Sequence, residues 1–149
     1  MSEISVAEAT RECALNRAFI RSFRDTADGD YICARLAYRA QLVPQFHWSS
    51  LQAIEKYLKC ILTLNRVKAK TGHNLAEALR KIRSDVNLHL TLSRMTEKFI
   101  EHVDTYGRFR YLEVPYNSTD HALIKLDRAV WEIRRYCQTL DFGPNTRIG

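Results

Sequence analysis

The sequence predicts an all-α fold, an up-and-down helical bundle of five to six helices. Apolar residues recur at three- and four-residue intervals along most of the chain, the period of a buried helix face. Only 5 Gly and 3 Pro occur in 149 residues, too few for the many tight turns of an all-β fold. One segment, VNLHLTL at 86–92, alternates in the manner of a strand. A lone strand has nothing to complete its hydrogen-bond ladder, so this segment reads as an extended connection.

The elements follow in order. Ser5 and Glu8 have the spacing of a capping box, which opens a helix over about 6–23 with Leu15, Phe19 and Phe23 recurring at four. Asp25 is placed to cap a second helix over about 26–42, where Tyr31, Ala34, Tyr38 and Leu42 share a side. Pro44 disfavours a helical residue before it and suits the first turn of a new helix, so the chain should break there. The helix over 44–65 carries Trp48, Leu51, Ile54, Leu58, Ile61 and Leu62 on one face. At about 33 Å it is long enough to be the spine of the domain. Residues 66–73 are polar and basic and read as a loop. Asn74 and Glu77 then open a short helix to about Arg83. Ser93 caps a helix over about 94–106, with Phe99, Val103 and Tyr106 inward and Gly107 as its stop. The last helix spans about 118–141 and shows Ala122, Leu126, Val130, Ile133, Cys137 and Leu140. Residues 1–24 are expected to be an N-terminal helical extension, 25–141 the bundle, and 142–149 a loose tail.

The function classes narrow by exclusion. Apolar residues make up 46% and charged residues 27%, the balance of a folded globular domain. The strongest apolar run, Cys60 to Leu64, is five residues, far short of a membrane span. The first residues carry acids and an early Arg and resemble no secretion signal, so a cytoplasmic protein is expected. Cysteines 13, 33, 60 and 137 form no C-x-x-C pair and each has apolar neighbours, which predicts buried free thiols. The five His are scattered without a metal-binding pair, so neither a metal nor another cofactor is expected. A phosphate-binding Gly-rich loop, G-x-S-x-G and H-E-x-x-H are all missing from the sequence.

Charge is uneven. The chain is +6 overall, yet residues 61–83 hold six bases against Glu77 alone, and 84–104 are net −2. A basic stripe attracts phosphates in a salt-sensitive way. On the spine helix the polar residues not needed for packing are Gln52, Glu55, Lys56 and Lys59, and Glu55 and Lys59 stand one turn apart in ion-pair order.

QAIEKYLK (52–59), GHNL (72–75) and YGRFRY (106–111), preceded by DYICAR (30–35), together resemble the HEPN family. These are small helical domains of nucleotide- and RNA-linked systems. The resemblance spans about residues 25–140. It implies a nucleotide- or RNA-binding groove formed by Glu55, Lys56, Lys59, His73, Tyr106, Arg110 and Tyr111. Lys and Arg would meet phosphates, and the tyrosines would stack bases. It also implies a homodimer, and a nucleotidyltransferase or antitoxin as protein partner. The aromatic stretch at Phe46 and Trp48 is the candidate face for the dimer.

Catalytic members of the family carry an Arg and a His with four to six residues between them. That pair can move a proton and stabilise charge on a phosphate. Here the spacing occurs at Arg66–His73 and Arg83–His89, while Arg110 meets its first His only at 121. The expectation is therefore a binding domain without catalytic residues. A metal-independent endoribonuclease of a toxin–antitoxin system and a helical protein-interaction module are the alternatives.

Overall fold

The computed structural model describes residues 5–68, 74–85, 89–107 and 121–138. Among them every regular element is helical and no strand occurs: α1 Val6–Phe19, α2 Asp25–Arg39, α3 Val43–Leu64, α4 Leu75–Asp85, α5 Arg94–Tyr106 and α6 Ala122–Arg134. None of these helices is long and apolar enough to cross a membrane.

The expected break near Asp25 is absent. A π turn, Ile20–Arg24, joins α1 to α2 in one helical run. Nothing in this stretch breaks a helix, and the Asp25 carboxylate is taken by Arg24 at 3.3 Å instead of by a backbone N–H. The segment α1 itself buries no residue, and Leu15 is exposed. Its Ser5 cap is as expected, accepting from the N–H of Glu8 at 3.1 Å. Arg66, just after α3, holds α1 from below through Glu12 and Asn16 and lies 5.3 Å over the ring of Phe19.

The central helix is α3, with Pro44 in its first turn. Twelve of its 22 residues are buried, including every apolar position read from the sequence except half-buried Trp48. Its broadest contact is with α2. Tyr38 meets Phe46 at one end while Asp30 and Asp28 meet Lys56 and Tyr57 at the other, so the two helices run antiparallel. The buried face of α2 is Ala27, Ala34 and Ala37, not the expected line through Tyr38 and Leu42, which are exposed. Small side chains let the two backbones approach closely, and the larger apolar residues turn outward. Phe46 is in the core at 1% exposure and Trp48 packs against it. Phe46 therefore offers no free surface to a dimer, and Trp48 only part of its side chain.

The remaining helices close around α3. Asn74 caps α4, accepting from the N–H of Glu77 at 3.2 Å. The connection at 89–93 is irregular and buries Leu90; residues 86–88 lie outside the described ones. Ser93 caps α5 as expected, accepting from the N–H of Thr96 at 3.3 Å. Gly107 ends α5 with an ordinary helical φ of −62°. It is needed for a close approach: a Cβ there would stand 2.9 Å from Leu51 Cβ and 3.0 Å from the carbonyl oxygen of His47. On α6 the buried set Ala122, Leu126, Val130 and Ile133, continued by Cys137 beyond its end, is the one expected. The helix stops at Arg134 rather than about 141. Cys137 then donates to the carbonyl of Tyr57 on α3 at 3.3 Å, which packs α6 on the spine. Cys60 and Cys137 are buried thiols, whereas Cys33 is exposed and Cys13 partly so.

A buried carboxylate fixes the start of α5. Glu132 of α6 accepts from Ser93 through both N–H and hydroxyl, from the Thr96 hydroxyl at 2.6 Å and from Arg128 at 3.1 Å. Burial alone would raise its pKa, but these donors outweigh it and hold the carboxyl below its ordinary range.

Two outcomes test this packing. Leu58→Ala, at the fully buried centre of α3, should lower unfolding free energy by about 2–5 kcal/mol in chemical denaturation. Glu132→Gln should cost about 1–3 kcal/mol at neutral pH, the effect of leaving buried donors poorly matched. A carboxyl with a depressed folded-state pKa stabilises above its ordinary value of about 4.5. That contribution is lost as pH falls through the folded value, so the gap between wild type and variant should close in acid.

Candidate functional site

The surface of α5 is divided by charge along its length. Arg94, Lys98, His102 and Tyr106 follow one another at four-residue intervals and so form one stripe. Over these 13 residues the stripe spans about 18 Å. The neighbouring edge carries Glu97, Glu101 and Asp104, which face α4 across a cavity of about 460 Å³ also lined by Arg80 and Arg83. Arg83 crosses it to reach Glu97 at 2.6 Å. The acidic edge is thus turned towards cations of the protein's own, and the basic edge is turned out beside α6.

Lys125, in the first turn of α6, completes the basic edge. Together Arg94, Lys98, His102 and Lys125 line a pocket of about 500 Å³ whose apolar floor is Met95 and Phe99. No carboxylate lines it among the described residues. Neighbouring helices hold this geometry. Glu132 anchors the first turn of α5, and Gly107 presses its last turn onto α3.

Beneath the stripe lies a histidine pair. The Nε2 atoms of His47, on α3, and His102 are 3.0 Å apart. Their rings meet edge-on at 4.8 Å, and the Tyr106 ring lies a further 4.8 Å from His102. Burial, with His102 alongside, pushes the His47 pKa down to about 4. Burial and then the Lys125 charge also lower that of His102. Both imidazoles are therefore neutral at physiological pH and can share a single proton between the facing nitrogens. No group of three or more His, Cys, Asp or Glu able to hold a metal occurs among the described residues.

The residues expected from the sequence are not all brought together. Glu55, Lys56 and Lys59 sit on α3, two to three turns beyond His47. Lys56 is bound to Asp30 of α2, and Lys59 to buried Glu55 at 2.8 Å. These ammonium groups meet carboxylates of the protein rather than opening onto a basic groove. Tyr106, expected to face inward, is 39% exposed and stands at the end of the α5 stripe. His73, Arg110 and Tyr111 lie outside the described residues. The basic segment 61–83 is also partly engaged: Arg66 by Glu12, Arg83 by Glu97, and Lys81 by the carbonyl of Lys68 at 2.7 Å.

Arg94, Lys98, His102 and Lys125 were missed because segment charge averages the two edges of α5. The signal that finds them is the four-residue spacing from Arg94 to Tyr106.

Comparison with the curated proteins and with the solved structures finds no match. The family model of the HEPN domain matches residues 20–137, from the π turn to Cys137, and so takes in α2 to α6 and the whole of the α5 stripe. That coverage places the chain in the HEPN domain family.

Proposed function

We propose that this HEPN domain binds single-stranded RNA or nucleotide along the basic edge of α5 and does not cleave it. The observation that supports this reading is the stripe of Arg94, Lys98, His102 and Tyr106, joined by Lys125 around a pocket lined by no carboxylate. Arg offers a planar fork to phosphate oxygens, Lys a compact charge, and an exposed tyrosine ring a stacking platform indifferent to base identity. An extended strand suits the stripe better than a duplex, because stacking on Tyr106 requires an unpaired base. Lys56 and Lys59 have a structural part in this reading, pinning α2 to α3 and neutralising buried Glu55.

The binding-only reading draws support from the arginines of the two Arg/His spacings. Arg66 and Arg83 are both held by carboxylates, which weakens their claim on a substrate phosphate. Cleavage without a metal would instead have to use His102, the imidazole that lines the pocket and is neutral at physiological pH.

Fluorescence anisotropy with a labelled RNA oligomer tests both points. Arg94→Ala, Lys98→Ala and Lys125→Ala should each weaken binding and lower its salt dependence by about one unit of log–log slope. Tyr106→Leu should cost about 1–3 kcal/mol on RNA and leave inorganic pyrophosphate binding unchanged. RNA incubated with the protein and chelator should stay intact; cleavage abolished by His102→Ala would overturn the non-catalytic reading. Unchanged binding in all three cation variants would overturn the site.

A further inference from the structure

The face formed by α2 and α6, on the far side of α6 from the α5 pocket, carries a second feature. Tyr31 and Arg35 of α2 both bind Asp127 of α6, which fixes the two helices side by side there. Around this ridge four large apolar side chains point to solvent. Ile32 and Leu36 of α2 are each 59% exposed, and Ile124 and Trp131 of α6 are 61% and 69% exposed. Ile124 and Trp131 stand one turn to either side of Asp127, and Ile32 and Leu36 are each one residue on from Tyr31 and Arg35, so each helix exposes an apolar pair beside the same polar contact. A shallow depression of about 190 Å³ lies among Ile32, Arg35, Leu36 and Arg39.

The charge on this face is net positive. Arg35, Arg39, Arg128 and Arg135 lie around the apolar residues, and Arg135 lies 5.2 Å over the Trp131 ring. Asp127 pairs with Arg35 and buried Glu132 with Arg128, which leaves Arg39 and Arg135 without a carboxylate among the described residues. Tryptophan and arginine are the residues that most often carry interface energy. Single exposed apolar residues need no explanation, but a contiguous group rimmed by charge marks a docking surface.

We infer that this α2–α6 face docks a protein partner through an amphipathic helix whose apolar ridge is flanked by acidic side chains. Three alternatives fit less well. A second copy of the chain would set this arginine-rich face against itself, and like charges brought together across an interface cost several kcal/mol. Nucleic acid would match the charge, but Ile32, Leu36 and Ile124 offer it no stacking surface. A basic or neutral helix would leave Arg39 and Arg135 without counter-charge. An acidic amphipathic helix satisfies both halves of the face: its apolar positions at i, i+4 and i+7 cover the four apolar residues, and its acids meet the arginines. This inference is independent of the RNA reading, which concerns the other side of α6.

The probe is a pair of synthetic amphipathic peptides of about 14 residues with the same leucine ridge, flanked in one by glutamates and in the other by lysines. Binding is followed by tryptophan emission, with Trp131→Phe identifying the signal that comes from Trp131 rather than Trp48. The acidic peptide should bind at least about tenfold more tightly than the basic one, shift Trp131 emission to the blue and gain helicity. Leu36→Ser and Trp131→Ala, both at exposed positions, should abolish binding while leaving thermal stability and RNA affinity unchanged. Arg39→Glu combined with Arg135→Glu should reverse the preference between the peptides. Equal binding of the two peptides, or no binding of either, overturns the inference. So does a dimer in sedimentation that Trp131→Ala dissolves, which would assign the face to a second copy. Loss of RNA binding in Trp131→Ala would assign it to nucleic acid and overturn the inference equally.

Discussion

The fold depends on burying α3 from nearly every side. A helix with twelve buried residues in 22 cannot lie on the surface of a two-layer packing. It needs neighbours all round, and the chain provides them as α2, α4, α5 and α6 in contact with it. The burial extends to polar side chains, which then require partners inside the protein. Glu55 on α3 is met by Lys59. The hydroxyl of Tyr57 donates to Asp28, whose carboxylate also receives two parallel bonds from Arg134 at 2.8 and 2.9 Å. Burial would raise the Asp28 pKa, but Arg134 and Tyr57 outweigh it and keep the carboxylate charged. One acid thus ties α2, α3 and α6 together, and its directional bonds fix a register that apolar contact alone would leave free to slide.

The sequence showed the helices best where their apolar stripe was made of large residues. On α3 and α6 these repeat at the helical period and are the residues found buried. On α2 the reading rotated the helix, because three alanines carry less apolar signal than Tyr38 and Leu42 although they are the buried ones. Close approach to α3 selects small side chains, and a hydrophobic count cannot see that preference. The join between α1 and α2 was misread for a related reason. An Asp can cap a helix only where the backbone leaves one, and nothing between Phe19 and Gly29 obliges it to leave. The caps at Ser5, Asn74 and Ser93 were legible because each side chain has an open N–H three residues on to accept from.

The candidate site was less legible than the fold. Charge summed over segments drew attention to residues 61–83 and away from α5, which lies in a net −2 stretch. The two edges of α5 cancel in sequence; in the fold Arg83 of α4 meets Glu97 on the acidic edge, while Lys125 of α6 joins the basic one. Conversely, Lys56 and Lys59 read as available cations. An isolated lysine in sequence carries no sign of the carboxylate that will meet it, and Asp30 reaches Lys56 only because α2 folds back along α3. Tyr106 was assigned the wrong environment: it is the last of a surface stripe rather than the last of a core face.

The two surfaces argued above share α6, which raises the question of whether they act together. Lys125 faces the α5 pocket, while Ile124 and Trp131 face the α2 side. Between them α6 is held by three polar anchors: Asp127 to Tyr31 and Arg35, Glu132 to Ser93 and Thr96, and Arg134 to Asp28. Coupling between sites needs an element with two arrangements that each ligand biases differently. A helix pinned on two sides by charged hydrogen bonds, with Ala122, Leu126, Ala129 and Ile133 in the core, has no second arrangement of comparable energy. Such anchoring would separate the two proposed surfaces instead of linking them, so a partner docked on the α2 side would leave the α5 pocket in place.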